Sequence, residues 1–278
     1  MIEIKFWGVR GSMPAPGPQY TQYGGNTSCI QIKIDKQHEF IIDAGTGIVQ
    51  LGEKLKLFDQ PIYIFFTHFH WDHIQGIPFF KPLYMPNQEI HCIADQSAGW
   101  EKYAFSQMQD QNYPVLPEVL KSKRVFHQFK GFDHFKKRGI HIETLQSNHP
   151  GGFTIYKVTQ NNKTICCCSD NELSMKKIKT TSRLELIDFF KGSDVLIHDA
   201  QYLPEEINQK IGWGHSHYQE VCELAAAAKI KQLILTHHDP QRTDQDMDKI
   251  KSQIFFYLKK KKYPLSVTCA YEGLSIYI

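Results

Sequence analysis

Residues 62–73 read Ile-Tyr-Ile-Phe-Phe-Thr-His-Phe-His-Trp-Asp-His, which joins a strand pattern to a metal-binding pattern. The apolar run Ile62–Phe66 predicts a buried strand, and the polar residues after it predict a turn at the edge of a sheet. The turn contains three imidazoles and a carboxylate, which are ligands of Zn²⁺ and other first-row ions. A four-coordinate ion with one open position has room for three protein ligands, whereas this loop offers four. Two ions sharing the turn is therefore the simpler arrangement.

The composition is that of an ordinary globular protein. The 278 residues are 41% hydrophobic and 22% charged, which suffices for a sizeable core. The net charge of +3 gives no global argument for a nucleic-acid partner. No apolar run is long enough to span a bilayer, and Met1–Phe6 alternates like a strand instead of forming the apolar core of a signal peptide. We therefore expect no membrane association.

The cysteines favour a reducing compartment. There are seven of them, no CxxC pair is present, and most lie in apolar, strand-like segments. They are expected to be small buried residues rather than a disulfide framework, which predicts a cytoplasmic protein. Cys166–Cys168 are consecutive, and neighbouring strand residues point to opposite faces, so these thiols cannot easily converge on one metal.

The rest of the chain alternates between strand and helix patterns. Apolar spacing predicts a helix over Gly47–Phe58. Two capping-box patterns predict later helices, one from Ser216 with Gln219 and one from Thr243 with Asp246. Strands are predicted at Ile2–Trp7, Cys29–Ile34, Glu39–Asp43, Ile62–Phe66, Glu89–Ala94, Gly139–Leu145, Phe153–Thr159, Lys163–Cys168, Val195–His198 and Leu233–Leu235.

Residues 97–135 differ from their surroundings. Aromatic residues are interleaved with Gln and Asp there, and Pro114 and Pro117 interrupt the segment. Two interpretations remain open. The segment is either a surface helix pair with an apolar underside, or a cap over the metal site whose rings stack on a base or another planar group.

The run His68–His73 matches the HxHxDH signature of the metallo-β-lactamase superfamily. Three other segments resemble its branch of tRNase Z-like and cyclic-nucleotide phosphodiesterase-like hydrolases: Phe6–Ser12, Tyr23–Cys29 and Ile42–Gly47. The resemblance extends from the first strand to the last and is weak at about 97–135, as is usual for a variable insertion. It implies an α/β fold, the four-layer αββα sandwich, built as a single domain over residues 1–278 with a cap insertion at about 97–135.

The resemblance also implies a dinuclear metal site. The implied ligands are His68, His70 and His149 for one ion, Asp72, His73 and His237 for the other, and Asp170 as the bridge. His238 is the alternative to His237, but the match to a Leu-Thr-His strand end favours His237. Asp43 is expected to orient a metal-bound imidazole. Zn²⁺ is the metal most expected, and Mn²⁺ or Fe²⁺ also accept such ligands.

A second pair resembles the catalytic groups of tRNase Z-like enzymes. His215 precedes a predicted helix, whose N-terminus favours a phosphate oxygen, and Asp199 stands where those enzymes usually carry Glu. We predict that His215 and Asp199 are catalytic, together with the ligand Asp72. A purely structural role for Asp199, accepting hydrogen bonds from strand-end amides, is an equal alternative.

The predicted function is hydrolysis of small phosphodiesters, such as cyclic nucleotides, by a hydroxide held between the two ions. An RNA 3′-processing endonuclease like tRNase Z is the alternative, although the chain has no long Gly- and Pro-containing arm of the kind that grips tRNA. Hydrolysis of lactones or thioesters is a further alternative. Flavodiiron-type redox chemistry is disfavoured because those relatives carry a carboxylate at the position of His70. A degenerate binding module is disfavoured because every implied ligand is present. A small phosphodiester is the expected partner, nucleic acid is not favoured, and a homodimer is compatible with the family.

Overall fold

The computed structural model describes residues 1–35, 38–55, 60–96, 99–109, 111–130, 132–175 and 180–278. The chain divides into two compact units. Unit 1 comprises Met1–Pro14, Asn26–Phe132 and Glu272–Ile278, and unit 2 comprises Ala15–Gly25 and Asp133–Tyr271. Each unit contains one mixed β-sheet with helices, which is an α/β architecture.

Unit 1 contains a seven-stranded sheet in the order β13-β1-β2-β3-β4-β5-β6. Its strands are β1 (Glu3–Gly8), β2 (Cys29–Lys33), β3 (Glu39–Ile42), β4 (Ile62–Phe66), β5 (Glu89–Ala94), β6 (Lys123–Gln128) and β13 (Ser275–Tyr277). The strands from β3 to β6 run parallel, whereas β13, β1, β2 and β3 pair antiparallel. The parallel strand β4 is buried along four of its five residues, as its continuous apolar run requires.

Helix α1 (Gly47–Lys54) covers this sheet because its apolar residues recur at helical spacing. Ile48 and Leu51 pack in one cluster with Ile64 of β4. The predicted helix over Gly47–Phe58 is therefore present, but it ends at Lys54, and Phe58 lies outside the described residues.

The segment 97–135 differs from its predicted form. Its described residues include one short α-helix, α2 (Glu101–Phe105), a 3₁₀ turn at Pro117–Val119 and the strand β6. The described part therefore does not form the α-helix pair of the first interpretation. The residues of β6 pair in parallel register with β5. The expected apolar underside is present, because Trp100, Ala104 and Met108 are buried in the unit 1 core. Ser97, Ala98, Asp110 and Gly131 lie outside the described residues.

Unit 2 contains a six-stranded sheet in the order β12-β11-β10-β9-β8-β7. Its strands are β7 (His141–Gln146), β8 (Thr154–Gln160), β9 (Lys163–Cys168), β10 (Val195–Asp199), β11 (Gln232–Thr236) and β12 (Ser266–Cys269). Its helices are α3 (Arg183–Phe190), α4 (Ile207–Lys210), α5 (Tyr218–Ala227) and α6 (Asp244–Lys261). Strands β9 to β12 run parallel, and β7, β8 and β9 pair antiparallel.

The unit 2 core packs α5 and α6 with the sheet. Val221 and Leu224 of α5 and Met247 of α6 belong to one cluster with Leu196 and Leu233 of the strands. Helix α6 begins with the predicted capping box, in which Thr243 Oγ1 accepts from the Asp246 amide and the Asp246 carboxylate accepts from the Thr243 amide.

The predicted capping box from Ser216 and Gln219 is wrong. Helix α5 begins at Tyr218, and the Glu220 carboxylate accepts a hydrogen bond from the His217 amide at 3.2 Å. The Ser216 hydroxyl instead donates to the Asn171 carbonyl at 2.6 Å. Ser216 therefore stabilises the loop before the helix, because its side chain already has a partner there.

All seven cysteines are buried and unbridged, as predicted. Burial raises the pKa of Cys166 to about 12, so this thiol stays protonated at neutral pH. In the described part of the chain, none of the helices combines the length and the apolar character needed to cross a bilayer.

Candidate metal centre

The predicted metal turn follows the end of β4 directly. Its last residues form a 3₁₀ turn, Trp71–His73, in which the His73 amide donates to the His70 carbonyl at 3.0 Å. The ring of His68 lies 4.4 Å from the ring of His70 and 4.3 Å from that of His73, measured between centroids. Phe69 instead stacks on Trp100 at 5.4 Å, which anchors the turn on the apolar core. The turn therefore gathers its three imidazoles.

Asp43 orients His73, as predicted. The Nδ1–H of His73 donates to Asp43 Oδ2 at 2.7 Å, and Thr67 donates to the same carboxylate through its amide and its hydroxyl. Burial raises the pKa of the Asp43 carboxyl, and the bonds from His73 and Thr67 oppose that rise. The Nε2 of His73 then faces Asp72, whose Oδ2 is 3.4 Å away.

Ser12 binds the Asp72 carboxylate through its backbone and was not predicted as a site residue. Its amide donates to Asp72 Oδ2 at 2.7 Å. Ser12 lies in the segment Phe6–Ser12 that carries part of the resemblance, but no sequence pattern indicates that its backbone reaches a residue 60 positions later.

In unit 2, the predicted ligands gather around Asp170. Its Oδ2 lies 3.4 Å from His237 Nε2 and 3.9 Å from His149 Nε2. Both distances are long for a hydrogen bond. Two ligand atoms that each lie about 2.1 Å from one tetrahedral ion are about 3.4 Å apart. The spacing of these side chains therefore fits shared coordination.

Each of these histidines has a partner that sets its ring. The Nδ1–H of His149 donates to the Gly214 carbonyl at 2.9 Å, and that of His237 donates to Gln201 Oε1 at 2.9 Å. Metal-bound histidines in proteins usually donate their second ring nitrogen in this way. Gln201 was not predicted as a site residue, because nothing in its sequence surroundings marks it.

His238 has a different role from its neighbour. Its Nε2 hydrogen-bonds the Ala270 carbonyl at 2.9 Å, and its ring meets Tyr23 edge-on. The contact of His237 with Asp170 agrees with the preference for His237 over His238 as the ligand candidate.

Glu172 is a buried carboxylate near this cluster that sequence reasoning missed. It accepts hydrogen bonds from the amides of Gly212 at 2.9 Å and Gly214 at 2.8 Å. Gly214 has a φ of 89°, and a Cβ there would lie 2.2 Å from His149 Nδ1. Glu172 therefore holds the loop whose carbonyl orients His149.

His215 and Asp199 are close to each other without a hydrogen bond between them. His215 Nδ1 lies 3.8 Å from Asp199 Oδ2. The Asp199 carboxylate accepts from the amides of Asn171 at 3.0 Å and Ser216 at 2.7 Å. Burial raises the pKa of Asp199 to about 6, against the opposing effects of His198 and Ser216. These contacts match the structural alternative for Asp199, while its catalytic role stays a prediction.

The ring of His215 lies beside the ligand candidates. It stacks on His237 with centroids 4.8 Å apart and meets His149 edge-on at 5.2 Å. Ligand atoms of His149, Asp170 and His215 lie within 4.8 Å of one another. This group could hold a metal ion, so the geometry allows His215 either a ligand role or a catalytic one.

Three residues near these clusters adopt left-handed backbone conformations. Ser12 has a φ of 64°, Asp43 of 62° and His237 of 57°. Side chains other than glycine rarely adopt this conformation, and such strain concentrates at functional sites. Each of the three contacts a predicted ligand or is one.

The donor set in both units fits divalent metal ions of the zinc type. Imidazole Nε2 atoms and carboxylates converge, and the Nδ1 atoms of His73, His149 and His237 are each held by an acceptor.

Comparison with known proteins agrees with this fit. Residues 38–238 match the family model described as a β-lactamase superfamily domain, which is most of the chain. Ribonuclease Z of Crocosphaera subtropica is 23% identical over 280 residues, covering 86% of this chain and 87% of that protein. Ribonuclease Z of Lachnoclostridium phytofermentans is 25% identical over 309 residues, covering 98% and 99%.

Solved structures show the same fold. The metallo-β-lactamase fold protein YhfI from Bacillus subtilis has a TM-score of 0.70 at 17% identity and covers 100% of both chains. Human tRNase Z, short form, has a TM-score of 0.69 at 19% identity and covers 99% of both. A diphosphatase from the PhnP family has a TM-score of 0.68 at 16% identity, covering 100% of this chain and 98% of the other. The predicted fold class is therefore confirmed, and the chain belongs to the β-lactamase superfamily as a tRNase Z-like, metal-dependent hydrolase.

Proposed function

We propose that this chain is a dinuclear metal-dependent phosphodiesterase. The proposed ligand set follows the family pattern: His68, His70 and His149 for one ion, Asp72, His73 and His237 for the other, and Asp170 for both. Divalent ions bound there would activate water and neutralise the charge that develops on the phosphoryl oxygens.

The support for a metal site is the common arrangement of three imidazoles. His73, His149 and His237 each donate Nδ1–H to an acceptor, and their Nε2 atoms lie 3.4–3.9 Å from a carboxylate oxygen. Packing alone does not require that Nδ1–H has an acceptor while Nε2 points at a carboxylate. Metal binding uses both.

The reaction also needs a donor for the leaving group. We assign this role to His215, which would donate a hydrogen bond to the phosphoryl group or a proton to the leaving oxygen. Asp199 Oδ2 lies 3.8 Å from His215 Nδ1, so we propose that this carboxylate is the group that orients the imidazole. The products are a phosphomonoester and a free hydroxyl.

RNA is the substrate that the sequence relatives favour. Both ribonuclease Z proteins match nearly the whole of this chain, and their own length is almost fully covered. We therefore place RNA 3′ processing first among the substrates, ahead of the small phosphodiesters that the sequence alone favours. Small diesters such as cyclic nucleotides remain the second candidate, supported by the likeness to the PhnP-family diphosphatase and by the missing tRNA-gripping arm. Acyl substrates have no specific support beyond the shared fold.

A substrate panel with metal content measured on the same sample tests the proposal. The panel contains bis(p-nitrophenyl) phosphate, 2′,3′- and 3′,5′-cyclic nucleotides, a tRNA precursor, and a lactone and a thioester. We expect cleavage of the diester and of the precursor at its 3′ end. His215→Ala is expected to lower turnover with metal content unchanged, whereas metal loss would make His215 a ligand.

The other outcomes separate the candidates. Cleavage of small diesters without the precursor would select the second candidate. Bound metal with cleavage of only the lactone or thioester would overturn the phosphodiesterase proposal.

A further inference from the structure

The C-terminal half of α6 exposes two aromatic rings to solvent. Phe255 and Phe256 are 62% and 66% exposed, and their rings meet edge-on with centroids 5.6 Å apart. Other positions of the helix, including Met247 and Ile254, supply its core contacts. The two phenylalanines are thus not needed for packing, and the solvent side of a surface helix is normally polar.

Exposed lysines surround these rings. Residues four apart on a helix are neighbours, so Lys251 and Lys259 flank Phe255, and Lys260 flanks Phe256. Lys262 follows at the end of the helix. We call this surface the lysine–phenylalanine face; it consists of Lys251, Phe255, Phe256, Lys259, Lys260 and Lys262.

The lysines of this face form no ion pair in the described part of the chain. In the described residues, the ion pairs of the α6 lysines are Lys249 with Asp246 and Lys261 with Glu223. The four lysines of the face take part in none of them. The acids Asp244 and Asp248 of the first half of α6 instead accept hydrogen bonds from the chain at residues 22 and 23.

The helix dipole explains only part of this pattern. Cations stabilise the last turn of a helix, which accounts for Lys259 and Lys260. The effect falls off within that turn, so it does not account for Lys251, nor for two phenylalanines in water. A surface that combines lysines outside ion pairs with exposed rings matches the way proteins hold single-stranded nucleic acid, where cations contact phosphates and aromatic rings stack on bases.

We propose that the lysine–phenylalanine face binds RNA. This inference rests on the proposed RNA-processing function and names a surface, outside the metal site, that would contact the RNA in a chain without a long tRNA-gripping arm. The face extends roughly 16 Å along the helix axis, from Lys251 to Lys262, which spans several nucleotides. RNA fits better than a second copy of the chain, because the same face on two copies would repel. It fits better than a bilayer, because an interfacial helix buries a broad apolar face rather than two rings.

The test separates the charge contribution from the stacking contribution. Lys259→Gln with Lys260→Gln should weaken binding of a labelled tRNA and lower the slope of log Kd against log salt by about 1.4. Phe255→Leu with Phe256→Leu should weaken binding about fivefold or more without changing that slope. Phe255→Tyr with Phe256→Tyr keeps both rings and should bind like the unaltered protein. Binding is measured by fluorescence anisotropy at several salt concentrations.

Two controls accompany these variants. Lys191→Gln with Lys229→Gln removes the same charge from exposed positions outside α6 and should leave tRNA affinity nearly unchanged. Hydrolysis of bis(p-nitrophenyl) phosphate should stay within about twofold in every variant, because the face contains none of the proposed metal or catalytic residues.

The failures of the two proposals are distinguishable. Unchanged tRNA affinity in the lysine and phenylalanine variants, with tRNA bound and cleaved normally, would overturn this inference alone. If the lysine and phenylalanine variants keep their tRNA affinity but no longer bind vesicles containing phosphatidylserine, the face binds a membrane instead of RNA. If they keep their tRNA affinity but no longer form a dimer that the unaltered protein forms at high concentration, the face binds a second copy instead. Absence of tRNA binding by the unaltered protein would overturn both this inference and the RNA substrate, while diester cleavage would still support the phosphodiesterase.

Discussion

Glu172 illustrates which residues of the site the sequence could not predict. The ligand candidates stand in short runs that combine a strand end with His or Asp, so they are visible locally. Glu172, Gln201 and Ser12 contribute through hydrogen bonds to Gly214, His237 and Asp72, which lie 42, 36 and 60 positions away along the chain. Such pairings depend on the tertiary fold, and no local pattern encodes them. Asp43 was predictable because a resemblance covers it.

Glu172→Gln tests the positioning role of this carboxylate. The Glu172 carboxylate accepts hydrogen bonds from the backbone N–H groups of Gly212 and Gly214. A glutamine has only one acceptor oxygen, and its side-chain NH₂ would repel one of these N–H groups. The Gly214 loop should shift, and the orientation of His149 should change because its Nδ1–H donates to the Gly214 carbonyl. We expect metal affinity to fall about 10–100-fold, as measured by competition with a coloured chelator.

Glu223→Gln is the matched control for that change. Glu223 pairs with Tyr257 and Lys261 and contacts none of the ligand candidates through its carboxylate. This variant should keep its metal affinity. Equal metal affinity in Glu172→Gln and the unaltered protein, with both folded by circular dichroism, would exclude the positioning role.

Elements were predictable where pattern and packing agree. The predicted bounds of β4, β5 and β9 match the structure, because each contains a mostly apolar run that the sheet buries. Strand β6 was missed because its sequence, Lys-Arg-Val-Phe-His-Gln, carries little apolar signal at the sheet edge. The N-cap of helix α5 is His217, one residue later than the predicted Ser216, whose hydroxyl bonds to the neighbouring loop. Helix α3 and strands β12 and β13 were not predicted.

The lowered pKa of Asp194 makes the free energy of unfolding depend on pH. Burial raises the pKa of this carboxyl, but the Lys231 ammonium at 2.7 Å and the Thr164 amide at 2.9 Å outweigh it, so its pKa lies below the usual value. A lowered pKa in the folded state stabilises the protein above the unfolded pKa, near 3.8. That contribution is lost as pH falls from about 4 through the lowered folded value.

Asp194→Asn should therefore lower the free energy of unfolding by about 1–2 kcal/mol at pH 7. The difference from the unaltered protein should shrink as pH falls below 4. Urea unfolding at pH 7, 5, 4 and 3 measures it, and a difference that stays constant down to pH 3 would contradict this explanation.

At the scale of the whole molecule, the fold class was predictable and the distribution of charge was not. The resemblance covers both halves of the chain, which is why it indicates the superfamily fold. The net charge of +3 gives no global argument for an RNA partner, because a sum over the sequence hides where the charges lie. On the folded chain, three lysines of α6 and Lys262 directly after it lie around two exposed rings. The single-domain prediction and the cap role of residues 97–135 stay predictions.

The most direct test of the central claim starts from protein whose metal has been removed with a chelator. Metal is added back in steps, and diester hydrolysis and bound metal are measured at each step. We predict that activity returns as Zn²⁺ or Mn²⁺ is added and reaches its maximum at two ions per chain. Asp72→Ala should bind fewer than two ions and lose about a hundredfold or more in kcat while remaining folded. Full activity of the unaltered protein at one ion per chain, or a fully active Asp72→Ala, would contradict the dinuclear phosphodiesterase.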